Sequence, residues 1–157
     1  MSTRHLLKRA SIEAMTEQVV VHQFNDNAVR HTRTLSGLTG LQRIGIHLIR
    51  IEPGRDSTTH HYHEADEEFI YILSGRGLVS IGDEAYEVSA GDFMGFPTPS
   101  PAHSITNCGE EDLLYLMGGE RNLPDVVYYP RIQRSLIKTD SRRRWLDWKD
   151  WEDLPPR

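Results

Sequence analysis

The residues best suited to chemistry in this chain stand together in the segment HHYHEADEE, residues 60–68. Three histidines fall within four positions, and four acids follow within the next five. Imidazole and carboxylate groups crowded in this way can bind a transition-metal ion or transfer protons. A solvated polar loop is the alternative interpretation, and the rest of the sequence has to decide between the two.

Strand alternation divides the three histidines into two sets. Because residues i and i+2 of a strand face the same side, His61 and His63 project together while His60 faces the other way. A turn through residues 64–66 brings Glu68, which opens the next strand, back beside the pair. A carboxylate and two imidazoles on an apolar interior are costly to bury unless a divalent cation compensates them. His103, at the start of the run HSITN, is the best-placed candidate for a fourth ligand.

The elements that must position these residues are short strands separated by glycine, proline and acidic residues. The apolar or β-branched runs occupy residues 19–24, 44–51, 67–73, 77–81, 85–88, 93–96, 103–107 and 113–117. This punctuation favours an all-β sandwich or barrel. Helix is expected only as a turn or two over residues 11–18, after Ser11, and in the tail. There the spacing of Trp145, Trp148 and Trp151 predicts one face of a short helix or 3₁₀ turn.

Composition narrows the class of protein. A chain of 157 residues suits one domain, and 18 basic residues against 23 acidic ones show no basic stripe for nucleic acid. No segment resembles a signal peptide or reaches 18 consecutive apolar residues, so we expect no membrane partner and a cytoplasmic location. Cys108 is the single cysteine, which excludes a disulfide framework and a cysteine-rich zinc finger.

Two motifs around these histidines resemble those of the cupin superfamily. The first comprises Gly54, His61, His63, Glu68 and Gly75, and the second comprises Gly91, Pro97, His103 and Asn107. The first has six residues before His61 where five are usual. The second has Pro99 where glycine is expected, and one extra residue before His103.

The resemblance implies a small β-barrel, a double-stranded β-helix or jelly roll, whose metal is held by His61, His63, Glu68 and His103. The barrel core is expected over residues 44–118. Residues 1–43 then form an N-terminal extension with an added strand, and residues 119–157 a tail that packs on the barrel. The resemblance also implies a homodimer. One divalent transition-metal ion is expected, with iron or manganese favoured over zinc, nickel, cobalt or copper, which the same ligands also accept.

Three functions stay open at this point, all with a small molecule as partner. The first is a dioxygenase or related oxidoreductase, the second is an isomerase, epimerase or lyase acting on a sugar or sugar phosphate, and the third is a non-catalytic binding module. Phosphate binding requires cations directed into the barrel, and the sequence offers Arg43, Arg50 and Arg76 without showing where they point. No separate acid–base pair is visible either, so the sequence favours oxygen chemistry. No catalytic residue is assigned. His60 is expected at the surface or a sheet edge, and His47 is a candidate to line the barrel.

Overall fold

The computed structural model describes residues 5–152, which form thirteen strands and two short helices. The helices are α1 (Arg9–Glu13) and α2 (Ser36–Thr39), and two 3₁₀ turns span Pro130–Ile132 and Trp148–Asp150. The first strands are β1 (Gln18–His22), β2 (Asn25–Thr34), β3 (Ile44–Ile51), β4 (Tyr62–His63), β5 (Glu68–Ser74), β6 (Arg76–Ile81) and β7 (Glu84–Ser89). The remaining strands are β8 (Phe93–Phe96), β9 (His103–Asn107), β10 (Leu113–Glu120), β11 (Asp125–Tyr129), β12 (Arg134–Lys138) and β13 (Arg143–Asp147).

The strands pair into three sheets. The largest has the order β1-β2-β3-β10-β5-β8, and a three-stranded sheet has the order β7-β6-β9. A third sheet, β13-β12-β11-β4, joins the C-terminal strands to the short strand that carries His63. All paired strands of these sheets are antiparallel, so the all-β barrel predicted from the sequence is confirmed.

The core fills the space between the six-stranded and the three-stranded sheets. Its fully buried members include Ile49 and Ile51 of β3, Ile72 of β5 and Tyr115 of β10. Burying each of these side chains stabilises the fold by about 1.5–3 kcal/mol. Because alternate residues of a strand share a face, the burial of Ile72 fixes the inward direction of β5 and turns Glu68 toward the interior.

The predicted strand runs all appear, and β3, β8 and β9 have the predicted bounds. Strands β2, β11, β12 and β13 were missed, so the N-terminal segment holds two strands where one was expected. The first helix starts at Arg9, and Ser11 lies inside it rather than capping it. Among residues 5–152, neither helix has the length or the apolar run that crossing a membrane requires.

The expected shared face of the three tryptophans does not form, although the expected 3₁₀ turn is present and begins at Trp148. Trp145 lies in β13 opposite Leu136 of β12, Trp148 opens a 3₁₀ turn, and Trp151 follows that turn. The strand prevails because pairing with β12 lets the Trp145 ring pack against Tyr129 at a centroid distance of 5.0 Å. The three-residue spacing of the tryptophans therefore reflects a strand followed by a turn, and not one helical face.

Candidate metal centre

Three imidazoles converge on one carboxylate oxygen inside the barrel. Oε2 of Glu68 lies 3.7 Å from Nε2 of His61, 3.4 Å from Nε2 of His63 and 3.4 Å from Nε2 of His103. The side chains are 4–16% exposed, so the cluster is almost shielded from solvent. The structure thus brings together all four residues that the sequence proposed as ligands.

Backbone pairing places these side chains. His61 and His103 exchange two backbone hydrogen bonds, 3.1 Å and 2.7 Å long, as directly opposed residues of an antiparallel pair do. Their side chains therefore share a face, and His63 joins that face two residues later. Glu68 enters from β5, which turns its first residue to the interior. The His103 ring also stacks on Phe96 at 3.5 Å, so the extra residue before His103 leaves it buried.

The partners of the other ring nitrogens fix how His61 and His63 are protonated. Nδ1 of His61 lies 3.1 Å from the carbonyl oxygen of Thr59, and Nδ1 of His63 lies 2.8 Å from Oδ2 of Asp125. Both oxygens accept hydrogen bonds, so each Nδ1 carries a proton and donates it. Burial lowers the pKa of His61 to about 4, so its ring is neutral near pH 7 and Nε2 presents a lone pair.

The cluster therefore surrounds an ionised carboxylate with imidazoles. Burial alone would raise the pKa of Glu68, but the imidazoles of His103 and His61 hold it well below the ordinary value, and the group is ionised. Such a buried polar cluster is costly in an apolar interior unless a divalent cation compensates it. The ligand atoms of His61, His63 and Glu68 lie within 4.8 Å of one another, a spacing that a single ion can bridge. The donor set fits a divalent transition metal.

A second layer of buried polar groups supports His63. Asp125 opens β11 with 1% of its surface exposed, and it also accepts from the backbone N–H of Ala65 at 3.1 Å. Nζ of Lys138, opposite it on β12, lies 2.6 Å from Asp125 and 3.1 Å from Asp66. Burial alone would raise the pKa of Asp125, but hydrogen bonds from His63 and Lys138 lower it far below the ordinary value.

Aromatic side chains from both ends of the chain cover the other side of His61. Tyr129 stacks on the His61 ring at 5.6 Å, and Trp145 of β13 lies against Tyr129. His22 and Phe24 lie at the turn between β1 and β2, and they complete the cover through their contacts with Trp145. The tryptophan-containing tail thus packs over the cluster, and it shields the cluster from water.

A small enclosed cavity of about 40 Å³ adjoins the cluster. His61, Glu68 and His103 line it together with Arg30 and Tyr115. Arg30 lies on β2, whose alternate residues Ala28 and Thr32 are buried, so its side chain points inward. Burial raises the pKa of Tyr115 to about 12, and its hydroxyl stays protonated near neutral pH.

Other predicted residues lie away from the cluster. His60 is 6% exposed, which contradicts the expected surface or edge position, and its Nδ1 lies 3.3 Å from Oγ of Ser104 on the opposite side of the strand from His61. His47 shares the inward face of β3 with Ile49 but bonds Thr34, 3.1 Å away.

None of the three arginines that the sequence analysis named for phosphate binding lines the cavity beside the cluster. Arg50 is paired with Glu17 and Asp112, and Arg76 with Glu87 at the surface. Arg43 is exposed.

Sequence reasoning missed Arg30, Asp125 and Tyr129. Arg30 lies in NDNAVRHTRT, a strand with almost no apolar residues, so alternation of hydrophobicity gave no signal there. Asp125 and Tyr129 lie in DVVYY, whose β-branched and aromatic composition does predict a strand. What the sequence could not show is that this strand pairs with the one that carries His63.

Comparison with known proteins agrees with the geometry. Residues 47–118 match the family model for the cupin domain. A solved structure from Acidithiobacillus ferrooxidans, described as a candidate sugar phosphate isomerase, is 39% identical with a TM-score of 0.93, and the match covers 98% of both chains. A sugar phosphate isomerase of the cupin superfamily from Silicibacter pomeroyi is 24% identical, with a TM-score of 0.81 over 92% of this chain and 94% of that one.

Curated relatives match less than half of this chain. An oxalate-binding protein of Thermotoga maritima is 35% identical over 68 residues, which are 43% of this chain and 54% of that protein. The chain spans about half of the length of the curated relatives that it matches. The similarity to the Acidithiobacillus structure, by contrast, covers 98% of the chain and so includes terminal strands.

Proposed function

This chain belongs to the cupin superfamily, and we propose that it is a metal-dependent enzyme that isomerises a small hydroxy-carbonyl compound, with a sugar phosphate as the leading candidate. The metal is held by His61, His63, Glu68 and His103. The observation that carries the proposal is the convergence of three buried imidazoles on the Glu68 carboxylate, a donor set that suits a divalent transition metal. Iron or manganese remains the expected ion, because both accept mixed nitrogen and oxygen ligands with open positions.

A bound divalent ion polarises carbonyl and hydroxyl oxygens of a substrate and so acidifies the neighbouring C–H bond. The residues of the chain supply the surroundings of that chemistry. Tyr115 keeps a proton on its hydroxyl beside the cavity, and the aromatic cover over His61 excludes water. Excluding water strengthens each electrostatic contact inside the site.

Arg30 changes the preference among the three functions that the sequence left open. Oxygen chemistry was favoured because no cation was visible in the barrel, and Arg30 now lines the cavity beside the cluster. The full-length similarity to a candidate sugar phosphate isomerase supports the same choice. The experiment below distinguishes an isomerase from a dioxygenase and from a non-catalytic binding module.

The metal requirement is tested by elemental analysis of purified protein. We expect about one transition-metal ion per chain, and His61→Ala should abolish most of the occupancy because it removes a ligand. His60→Ala is the matched control, since this buried neighbour faces Ser104 instead. Equal metal content in the two variants, or none in the wild type after reconstitution, would contradict the assignment.

The reaction is tested with protein reconstituted with Fe²⁺, Mn²⁺ or Co²⁺ and a panel of sugar phosphates in D₂O. An isomerase should exchange the hydrogen beside the carbonyl for deuterium, seen by ¹H NMR, at equal rates with and without oxygen. Oxygen uptake with diketones, catechols or thiols and no exchange would establish a dioxygenase instead. If metal-loaded protein shows neither deuterium exchange nor oxygen uptake, the binding module would be favoured.

A further inference from the structure

Arg30 stands out among the inward-facing residues because it is a cation in an apolar barrel. It belongs to the face of β2 that buries Ala28 and Thr32, which are 1% and 9% exposed. Its side chain lines the cavity of about 40 Å³ that it shares with His61, Glu68 and His103. This strand lies outside the part of the chain that matches the cupin family model, so the residue is a feature of the N-terminal extension.

Within residues 5–152, the guanidinium of Arg30 has no ion pair and no side-chain hydrogen bond. Its neighbours on the outer face of the sheet differ in this respect, because Arg33 and Arg50 both contact Glu17. A partly buried guanidinium with five unused donors is costly to keep without a counter-charge. An anionic ligand would supply that counter-charge.

The charges around the cavity indicate the charge of the ligand that it would bind. Glu68 is its one carboxylate among the described lining residues, and that carboxylate is directed at the imidazoles. Its formal charge cancels that of Arg30, so a bound divalent ion leaves the cavity positive. Burial raises the pKa values of Tyr115 and Tyr129 to about 12, so both phenols stay neutral. The surroundings therefore favour a ligand that brings negative charge.

We propose that Arg30 binds the anionic group of the substrate, which is therefore a molecule that carries a phosphate or carboxylate oxyanion. Calling the ligand a substrate rests on the proposed function, whereas anion binding by Arg30 can be measured without turnover. A planar guanidinium pairs with either oxyanion through two parallel hydrogen bonds. The small cavity accommodates a group of a few heavy atoms rather than a whole sugar, because about 10–15 Å³ of such space holds one water molecule.

The test is anion binding to protein reconstituted with Mn²⁺, measured by titration calorimetry and by the shift of the unfolding midpoint. Inorganic phosphate represents the phosphate source and malonate the carboxylate source. Arg30→Met, which keeps the length of the side chain but removes its charge, should weaken binding about 10- to 100-fold, the loss expected for a charge-assisted pair. Arg30→Lys should retain part of the affinity. Arg76→Gln is the control, because Arg76 is exposed and pairs with Glu87.

Tighter binding of phosphate, lost in Arg30→Met and kept in Arg76→Gln, would assign a phosphorylated substrate, and tighter binding of malonate would assign a carboxylic acid. Equal affinity of the wild type and Arg30→Met, or no binding to any form, would overturn the proposal. Circular dichroism of Arg30→Met and Arg30→Lys establishes that both are folded. Binding that depends on Arg30 in a protein with no turnover would refute the isomerase alone.

Discussion

At the scale of single residues, the protonation of the histidines decides what the centre can hold. Thr59 and Asp125 accept hydrogen bonds from the Nδ1 atoms of His61 and His63, and each Nε2 is thereby left as a lone-pair donor directed at the interior. Such outer partners orient metal-binding imidazoles and raise their basicity. The sequence pattern of two histidines and a glutamate identifies the candidate ligands. The accepting oxygens of Thr59 and Asp125 orient the two imidazoles.

Glu17 gives the clearest prediction at this scale. Its carboxylate contacts Arg50 at 2.8 Å, Arg33 at 3.2 Å and His31 at 3.4 Å, so it ties the segment before β1 to β2 and β3. A hydrogen bond from Arg50 lowers the pKa of Glu17 below its ordinary value. A carboxyl with a lowered folded-state pKa stabilises the fold above its unfolded pKa, and this contribution is lost as the pH falls through the folded value.

Glu17→Gln should therefore lower the free energy of unfolding at pH 7 by about 1–2 kcal/mol, as expected for hydrogen bonds to a charged group with partial exposure. The difference between the variant and the wild type should shrink below pH 4. Urea unfolding at both pH values measures it. Glu13→Gln is the control, because the exposed pair of Glu13 with Arg9 should contribute little. A difference that grows on acidification would contradict the prediction.

At the scale of elements, the two-residue strand β4 links the centre to the C-terminal sheet. It pairs with β11 through Tyr62 and His63, and the backbone N–H of Glu64 donates to Val126 at 3.0 Å. A strand this short cannot hold its own geometry, so β11 and β12 supply the support. The tail is therefore part of the frame of the metal centre.

Asp125→Asn tests this support. The substitution keeps the size of the side chain but removes the charge that holds His63 and Lys138, so we expect metal affinity to fall about 10- to 100-fold, as for other outer partners of metal ligands. Competition with a chelating dye measures the affinity. Asp147→Asn on β13 is the control, because that carboxylate contacts Arg134 and not the histidines. Unchanged affinity in folded Asp125→Asn would show that β11 has no such role.

The elements also show what could be predicted from the sequence. Strands β3, β8 and β9 were predicted with their observed bounds, because their apolar runs are bordered by turn residues. The polar strand β2 was missed for lack of an apolar pattern, and with it Arg30. Trp145 was assigned to a helix because local spacing cannot reveal its pairing with Leu136 of β12. Ligand identity is local information, whereas the supporting contacts span more than 60 positions, as between His63 and Asp125.

At the scale of the whole molecule, the outer face of the six-stranded sheet exposes large apolar side chains on either side of the ion pairs of Glu17. Its exposed side chains include Val19 and Val21 of β1, Ile44 of β3, and Tyr71 of β5 opposite Phe93 of β8. Phe93 is 65% exposed, the largest value among the exposed large apolar side chains of the described residues. Exposed aromatic side chains such as Tyr71 and Phe93, paired on neighbouring strands, are typical of an interaction site.

This face is where we predict that two copies of the chain associate, since the homodimer remains an expectation from the family resemblance. A stable dimer buries about 800 Å² per partner, and an apolar sheet face can supply such an area. Light scattering at micromolar concentration should give twice the chain mass of 18.0 kDa. Phe93→Glu should yield the monomer, because burying an unpaired carboxylate between two sheets is costly. Leu78→Glu, an exposed apolar site on the three-stranded sheet, should leave the dimer intact. A wild-type mass of one chain, or dissociation by Leu78→Glu alone, would place the association elsewhere or exclude it.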